Sequence, residues 1–470
     1  MTEPRRPRPR STSHSYSPQL RTALILTGTG TAGAYHAGVL RALHEAGVKI
    51  DLVAAHGMGL VGALFAAVDG TQRLWEEKGF WQGSGVKDFY PWHRVVRVGA
   101  GALALSLAVV LVPMGVVAIG LVVYPIDFVL KMVGLGGVTS LIGAYLRLTQ
   151  WAFAPEVLPT WLPRIVVLLL GFVAAVAAAT AGLHGMPRRQ VGGLWWRLIV
   201  PPLSAAEVTR YWWQAAWDLL RGAVRVKPPP PLELSRRYTE LLGENLGQPG
   251  FRELIVGVHD LDAGRDLVFA LVTEPRRAAL VRRATSQAAE ERRAEVFDLS
   301  GLARDYLPAV IAGALAIPLA TEPGQLTFVA DAYWRGETHR LCDRPALVAR
   351  LLEEVIELEA EQVLVVSAAP ATPGPHALSP GRLDGRGRVG EYLRSAEASA
   401  VRDAIRLVND RPLQIYAIRP DHNPLGPFDF AGGFDARSNR RQPLGELMSR
   451  GYEDAYRQFI EPVVGASEEA

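Results

Sequence analysis

Gly28, Gly30 and Gly33 stand at G-x-G-x-x-G spacing in TALILTGTGTAGAYHAGVLRAL, residues 22 to 43. The apolar start reads as a strand, and Val39, Leu40 and Leu43 share one face of the helix that follows. Backbone N–H groups in such a turn point at whatever negative charge sits above the helix N-terminus. Three chemistries fit. An oxyanion loop, formed by Gly28, Thr29, Gly30 and Gly33, would stabilise charge developing on an ester carbonyl. A dinucleotide fingerprint would need an acid about twenty residues on, where Asp51 stands. A plain tight turn would use glycine only for its dihedrals. Asp51 opens the next strand, Leu52-Val53-Ala54-Ala55, whereas a ribose-binding acid closes it, which speaks against the nucleotide.

Continued as HEAGVKIDLVAAHGMGLVGALFAA, the segment resembles the N-terminal half of the patatin-like phospholipase family. That family runs from a glycine-rich oxyanion loop, usually with an arginine in it, to a G-x-S-x-G nucleophile elbow. A second stretch, IAGALAIPLATEPGQLTFVADAYWRGETHRL, resembles the segment through the family's Asp-Gly-Gly or Asp-Gly-Ala motif, and Asp331 falls at the dyad aspartate. Residues 253 to 272, with Asp260 and Gly264, resemble the family's middle strands. The likeness covers residues 20 to 75 and 235 to 345. It implies a three-layer α/β fold with a largely parallel sheet, an acyl or phospholipid ligand, and neither cofactor nor metal.

Three departures from that pattern coincide. The elbow reads Gly57-Met58-Gly59-Leu60-Val61-Gly62, without serine or cysteine, so that Gly59 or Leu60 takes the nucleophile's place. Ala32 replaces the loop arginine, and Ala332 the glycine after the aspartate. An acyl-enzyme needs an oxygen or sulfur nucleophile on a strained strand-to-helix turn. The expectation is therefore a protein that lacks or nearly lacks acyl hydrolysis and serves in lipid binding or as a scaffold. The alternatives are an active acyl hydrolase with an unrecognised nucleophile such as Ser84, and a nucleotide-binding regulator. His36, His56 and His339 are isolated along the chain, and His339, Cys342 and Asp343 supply too few ligands for zinc.

The elements that would carry these residues are interrupted by a membrane-like insertion. Hydrophobic residues make up 49% of the 470, and Val98 to Ile126 and Ile165 to Pro187 are uncharged runs long enough to cross a bilayer. Spans are expected at 98–124 and 165–185, with an intervening segment, 132–146, too short to assign. Arg94 and Arg97 before the first span and Arg188 and Arg189 after the second predict a hairpin with both ends cytoplasmic, in an inner membrane. Tryptophans 195, 196, 212, 213 and 217 predict an interfacial helix at 205–221.

The domain boundaries that follow are a basic tail at 1–20, the first α/β part at 21–90, the insertion at 91–226, the second α/β part at 232–370 and an extension at 371–470. Strands are expected at 253–258, 266–272, 326–330, 362–367 and 413–418. A net charge of +3 with scattered arginines argues against nucleic acid, and the single cysteine, Cys342, excludes an intramolecular disulfide. The partner expected is membrane phospholipid or an acyl chain; the sequence names no protein partner.

Overall fold

The computed structural model describes residues 16–133, 140–183, 201–222, 226–281, 292–371, 384–408, 411 and 413–465. The chain forms two compact units, one of Met1–Pro91 with Leu203–Ala470 and one of Trp92–Pro202.

In the first unit, β1 (Thr22–Thr27), β2 (Leu52–Ala55), β3 (Glu253–Asp260), β8 (Gln362–Ser367) and β9 (Gln414–Ile418) lie parallel in the order β3-β2-β1-β8-β9. β4 (Arg265–Leu271) is antiparallel to β3, β5 (Val296–Asp298) is parallel to β4, and the hairpin β6 (Gly324–Thr327) and β7 (Thr338–Cys342) joins β3 through β7. The central strands read as unbroken apolar runs because both of their faces are covered.

Strand alternation sorts those residues into two cores. Leu24, Leu26, Val53, Ala55, Leu364 and Val366 pack with α1 (Ala32–Glu45) and α2 (Gly59–Ala67). Ala23, Ile25, Leu52, Ala54, Val363 and Val365 pack with α7 (Leu347–Glu357) and α8 (Gly385–Leu407). The result is a mixed α/β arrangement with a mostly parallel central sheet between helices.

The helix expected on a membrane surface belongs to this unit. In α6 (Ala206–Leu220), Val208, Trp212, Trp213, Ala216 and Trp217 form one stripe at helical spacing, and all five are buried. Trp212 is 1% exposed and joins the core that also holds α2, so the stripe covers the protein's own interior. The stretch from Leu203 onward therefore groups with the α/β unit rather than with the insertion. Trp195 and Trp196 lie outside the described residues, as do Arg188 and Arg189.

The second unit is helical: α3 (Arg94–Met132), α4 (Ser140–Ala152) and α5 (Leu158–Leu183). Helices α3 and α5 are long and apolar enough to cross a membrane. At about 1.5 Å per residue the 39 residues of α3 extend ~58 Å, beyond the roughly 30 Å of a hydrocarbon core. Leu107, Met114 and Leu121 of α3 are largely exposed, which suits an apolar solvent better than water. The first charge after the apolar run, Asp127, pairs with Lys131 one turn on at 2.6 Å. Of the unassigned segment 132–146, residues 134–139 lie outside the described residues, and Ser140 begins α4, whose Tyr145 reaches the Val117 carbonyl of α3.

Candidate functional site

Two glycine turns meet at the carboxyl edge of the parallel strands, where α/β sheets place their ligands. After β1, Gly28 and Gly30 take φ of 117° and 60°, backbone that L side chains rarely adopt, before Thr31 leads into α1. After β2, His56-Gly57-Met58 turns the chain into α2, and Gly57 takes φ of 57°. The Met58 N–H donates to the Gly28 carbonyl at 2.8 Å and ties the two turns together.

Gly57 is thus the residue at the tip of the turn between strand and helix. Gly59, where the spacing put the nucleophile's place, is already the first residue of α2; a Cβ there would stand 2.2 Å from the Leu26 carbonyl oxygen. The turn closes two residues earlier than the glycine spacing suggests because Met58 bonds back to Gly28. A Cβ on Gly57 would meet Oδ2 of Asp343 at 2.6 Å and the Gly28 carbonyl oxygen at 2.5 Å.

Asp343, directly after β7, is buried at the junction of the two turns. Its Oδ1 pairs with Nδ1 of His56 at 2.8 Å and accepts the Arg344 backbone N–H at 2.8 Å, while its Oδ2 accepts the Thr29 hydroxyl at 3.2 Å. Burial presses the His56 imidazole toward neutrality, but Asp343, with Glu397 behind it, outweighs burial and raises its pKa above the ordinary value. Burial pushes His36 down to about 3, so that this second imidazole stays neutral.

Asp331 lies elsewhere. It is exposed in the connection between β6 and β7, beyond the Thr327–Thr338 pair, whereas Asp343 follows the other end of the hairpin, where Gly324 pairs with Leu341. At about 3.4 Å per strand residue, the length of β7 alone separates the two ends by on the order of 14 Å. Sequence reasoning grouped Asp343 with a discarded metal cluster. The signal that could have found it is an aspartate closing a strand at the sheet edge that carries the glycine turns.

A second carboxyl group closes the turn from α8. Glu397 Oε1 accepts from Thr27 Oγ1 at 3.1 Å and from Ser367 Oγ at 2.5 Å, and a Cβ on Gly28 would stand 2.8 Å from it. Complete burial raises the Glu397 pKa above the ordinary carboxylate range, against these hydrogen bonds and His56. Carboxyl groups on both sides make the turn a poor home for a phosphate. Asp51 is also wrongly placed for a nucleotide, since its Oδ2 accepts the N–H of Thr22 at the start of β1, the whole length of that strand, about 17 Å, from the end that leads into Gly28.

The last part of the chain covers the turn. The Thr31 N–H donates to the Pro427 carbonyl at 3.0 Å, and the Thr31 hydroxyl donates to the Gly426 carbonyl at 2.9 Å. A Cβ on Gly30 would stand 1.8 Å from the Pro427 oxygen, so only glycine admits this approach. The space left among Thr29, Thr31, Glu397, Asn423 and Pro427 is about 20 Å³, room for one water. Gly33 is a packing position, with the Trp81 ring where its side chain would be. Ser84 is exposed in a short 3-10 turn, with Tyr211 against the glycines on either side of it. No group of three or more metal-ligating side chains occurs among the described residues.

None of the protein-family models matches the chain. A stretch of 45 residues, 9% of the chain, is 53% identical to patatin-like phospholipase domain-containing protein 6 of Mus musculus, Pongo abelii and Homo sapiens. The chain spans about 3% of the length of these curated relatives. Among solved structures, the crystal structure of VipD from Legionella pneumophila aligns over 96% of this chain and 67% of that one, at 14% identity and a TM-score of 0.31. A likeness of that size carries no argument about function.

Proposed function

We propose that the protein is a membrane-anchored, patatin-like protein that lacks acyl hydrolysis and acts by binding lipid or as a scaffold, its α/β unit facing the cytoplasm. The observation that carries the reading is Gly57. The elbow position has no nucleophile, and the Asp343 carboxylate and the Gly28 carbonyl fill the volume a side chain would need. Without a group that can form the acyl-enzyme, what remains is a glycine turn with oriented donors, which by itself gives only slight catalysis. The 45-residue similarity to patatin-like phospholipase domain-containing protein 6 supports the family reading, and the two long apolar helices support the anchor. A nucleotide is disfavoured by the two carboxyl groups, Asp343 and Glu397, that flank the turn.

The test is activity of the full chain purified in detergent. Fluorogenic esters and phospholipids should be turned over at the buffer rate, and an alkyl fluorophosphonate should label no serine. Turnover that copurifies with the chain and a single labelled serine, at Ser84 or elsewhere, would overturn the reading.

A further inference from the structure

We infer that the glycine turn is a binding site for an uncharged carbonyl, and that the segment from Asn423 to Phe430 is its resident occupant, an internal strap that holds the site shut. This stands on the geometry of the turn and goes beyond the loss of hydrolysis, since it holds whether or not any nucleophile is present.

Three observations converge. Thr31 turns both its backbone N–H and its hydroxyl onto consecutive carbonyls of the strap, Pro427 and Gly426. The strap is held at both ends: Arg394 donates to the Asn423 carbonyl at 2.7 Å, Arg386 to the Phe428 carbonyl at 2.7 Å, and Asn423 to the Ala368 carbonyl at 3.0 Å. Its apolar residues Leu425, Phe428 and Phe430 are buried, with Phe430 stacked on Tyr90 at 5.8 Å between ring centres. Pro424 and Pro427 stiffen the backbone in the docked form, which lowers the entropy lost on docking.

The flanking groups define the ligand class. Donors aimed at an oxygen suit an acceptor, and the side chains packed closest on the two glycine turns include the acids Asp343 and Glu397 rather than the basic groups that would balance a charged one. An ester or amide carbonyl offers the acceptor without the charge, as Pro427 does. Any acyl group that reaches Thr31 must first displace the strap.

Ala32 lines the residual space and is 4% exposed, and the native thiol, Cys342, is buried. The test therefore uses the full chain in detergent with Cys342→Ala and Ala32→Cys, and follows the rate of maleimide modification. Leu425→Ser with Phe428→Ser should raise that rate at least tenfold. Arg394→Ala, which removes one strap contact and no core side chain, should raise it by a smaller factor. Hydrogen exchange at the Thr31 amide should accelerate in parallel. Unchanged rates in chains whose circular dichroism matches the parent would overturn the strap. In the loosened chain, monoolein, an uncharged ester, should slow modification and oleate should not. Equal slowing by both, or slowing by neither, would overturn the assignment to an uncharged carbonyl. Ester turnover by the unsubstituted chain would sink the proposed loss of hydrolysis and leave these outcomes untouched.

Discussion

Asp343 divides its two oxygens between the glycine turns, Oδ1 on His56 at 2.8 Å and Oδ2 on Thr29 at 3.2 Å, with 1% of its side chain exposed. A carboxyl group that serves two turns at a sheet edge is a structural keystone. Asp343→Ala should cost about 3–5 kcal/mol in denaturant unfolding, the range for stranding one partner of a buried ion pair. A cost below about 1 kcal/mol would show that the turns hold without it.

The pH dependence of stability follows from the same groups. His56 has a raised pKa in the folded chain, so its contribution is complete below the unfolded value of about 6.5 and is lost as pH rises through the folded value. Glu397 is also raised, and its contribution is likewise lost as pH rises above about 4.3. Unfolding free energy should therefore decline from pH 6 to pH 9 more steeply in the parent than in His56→Gln. Parallel declines would argue against a charged His56.

A hydroxyl placed at Gly57 should not create an enzyme. Gly57→Ser puts a Cβ into space held by Asp343 and the Gly28 carbonyl, on backbone with φ of 57°. Positive φ and overpacking each cost roughly 1–3 kcal/mol. The variant should unfold earlier than the parent and remain unlabelled by a fluorophosphonate; labelling with unchanged stability would show a site still shaped for serine.

Trp212 distinguishes a core helix from a membrane-surface helix. Trp212→Ala should cost about 3–5 kcal/mol, as for other large core truncations. Its indole N–H has no partner among the described residues, so Trp212→Phe should cost far less than alanine. If instead both substitutions left unfolding unchanged and weakened vesicle binding, the helix would belong at the headgroups.

The apolar unit predicts how the chain fractionates. The full chain should stay with membranes through alkaline carbonate extraction, and a chain lacking residues 92–202 should be released. Release of the full chain would remove the anchor.

Much of the sheet was legible because its strands announce themselves. Gln362–Ser367 matches the expected run, and β3 and β4 extend or shift by one or two residues. Three-residue β5 was too short to leave a pattern. The stripe of α6 was seen and misassigned, because a tryptophan-rich face looks the same whether it meets headgroups or the protein's own core. The glycine turn was legible from Gly28 and Gly30, whose spacing reflects local dihedrals. Its other half was not. Asp343 and Pro427 arrive from more than 300 residues away, and no spacing records such a meeting.

The hydroxyl of Thr31 reaches a carbonyl 395 residues further along the chain. On a ribosome, the glycine turn and both apolar helices emerge long before the segment that covers the turn. The donors of Thr31 in a nascent chain thus stay uncovered while the intervening residues are made and close only once Gly426 and Pro427 have emerged. A chain truncated before residue 423 would leave them open, which makes the segment from Asn423 onward the step that completes the turn at Thr31.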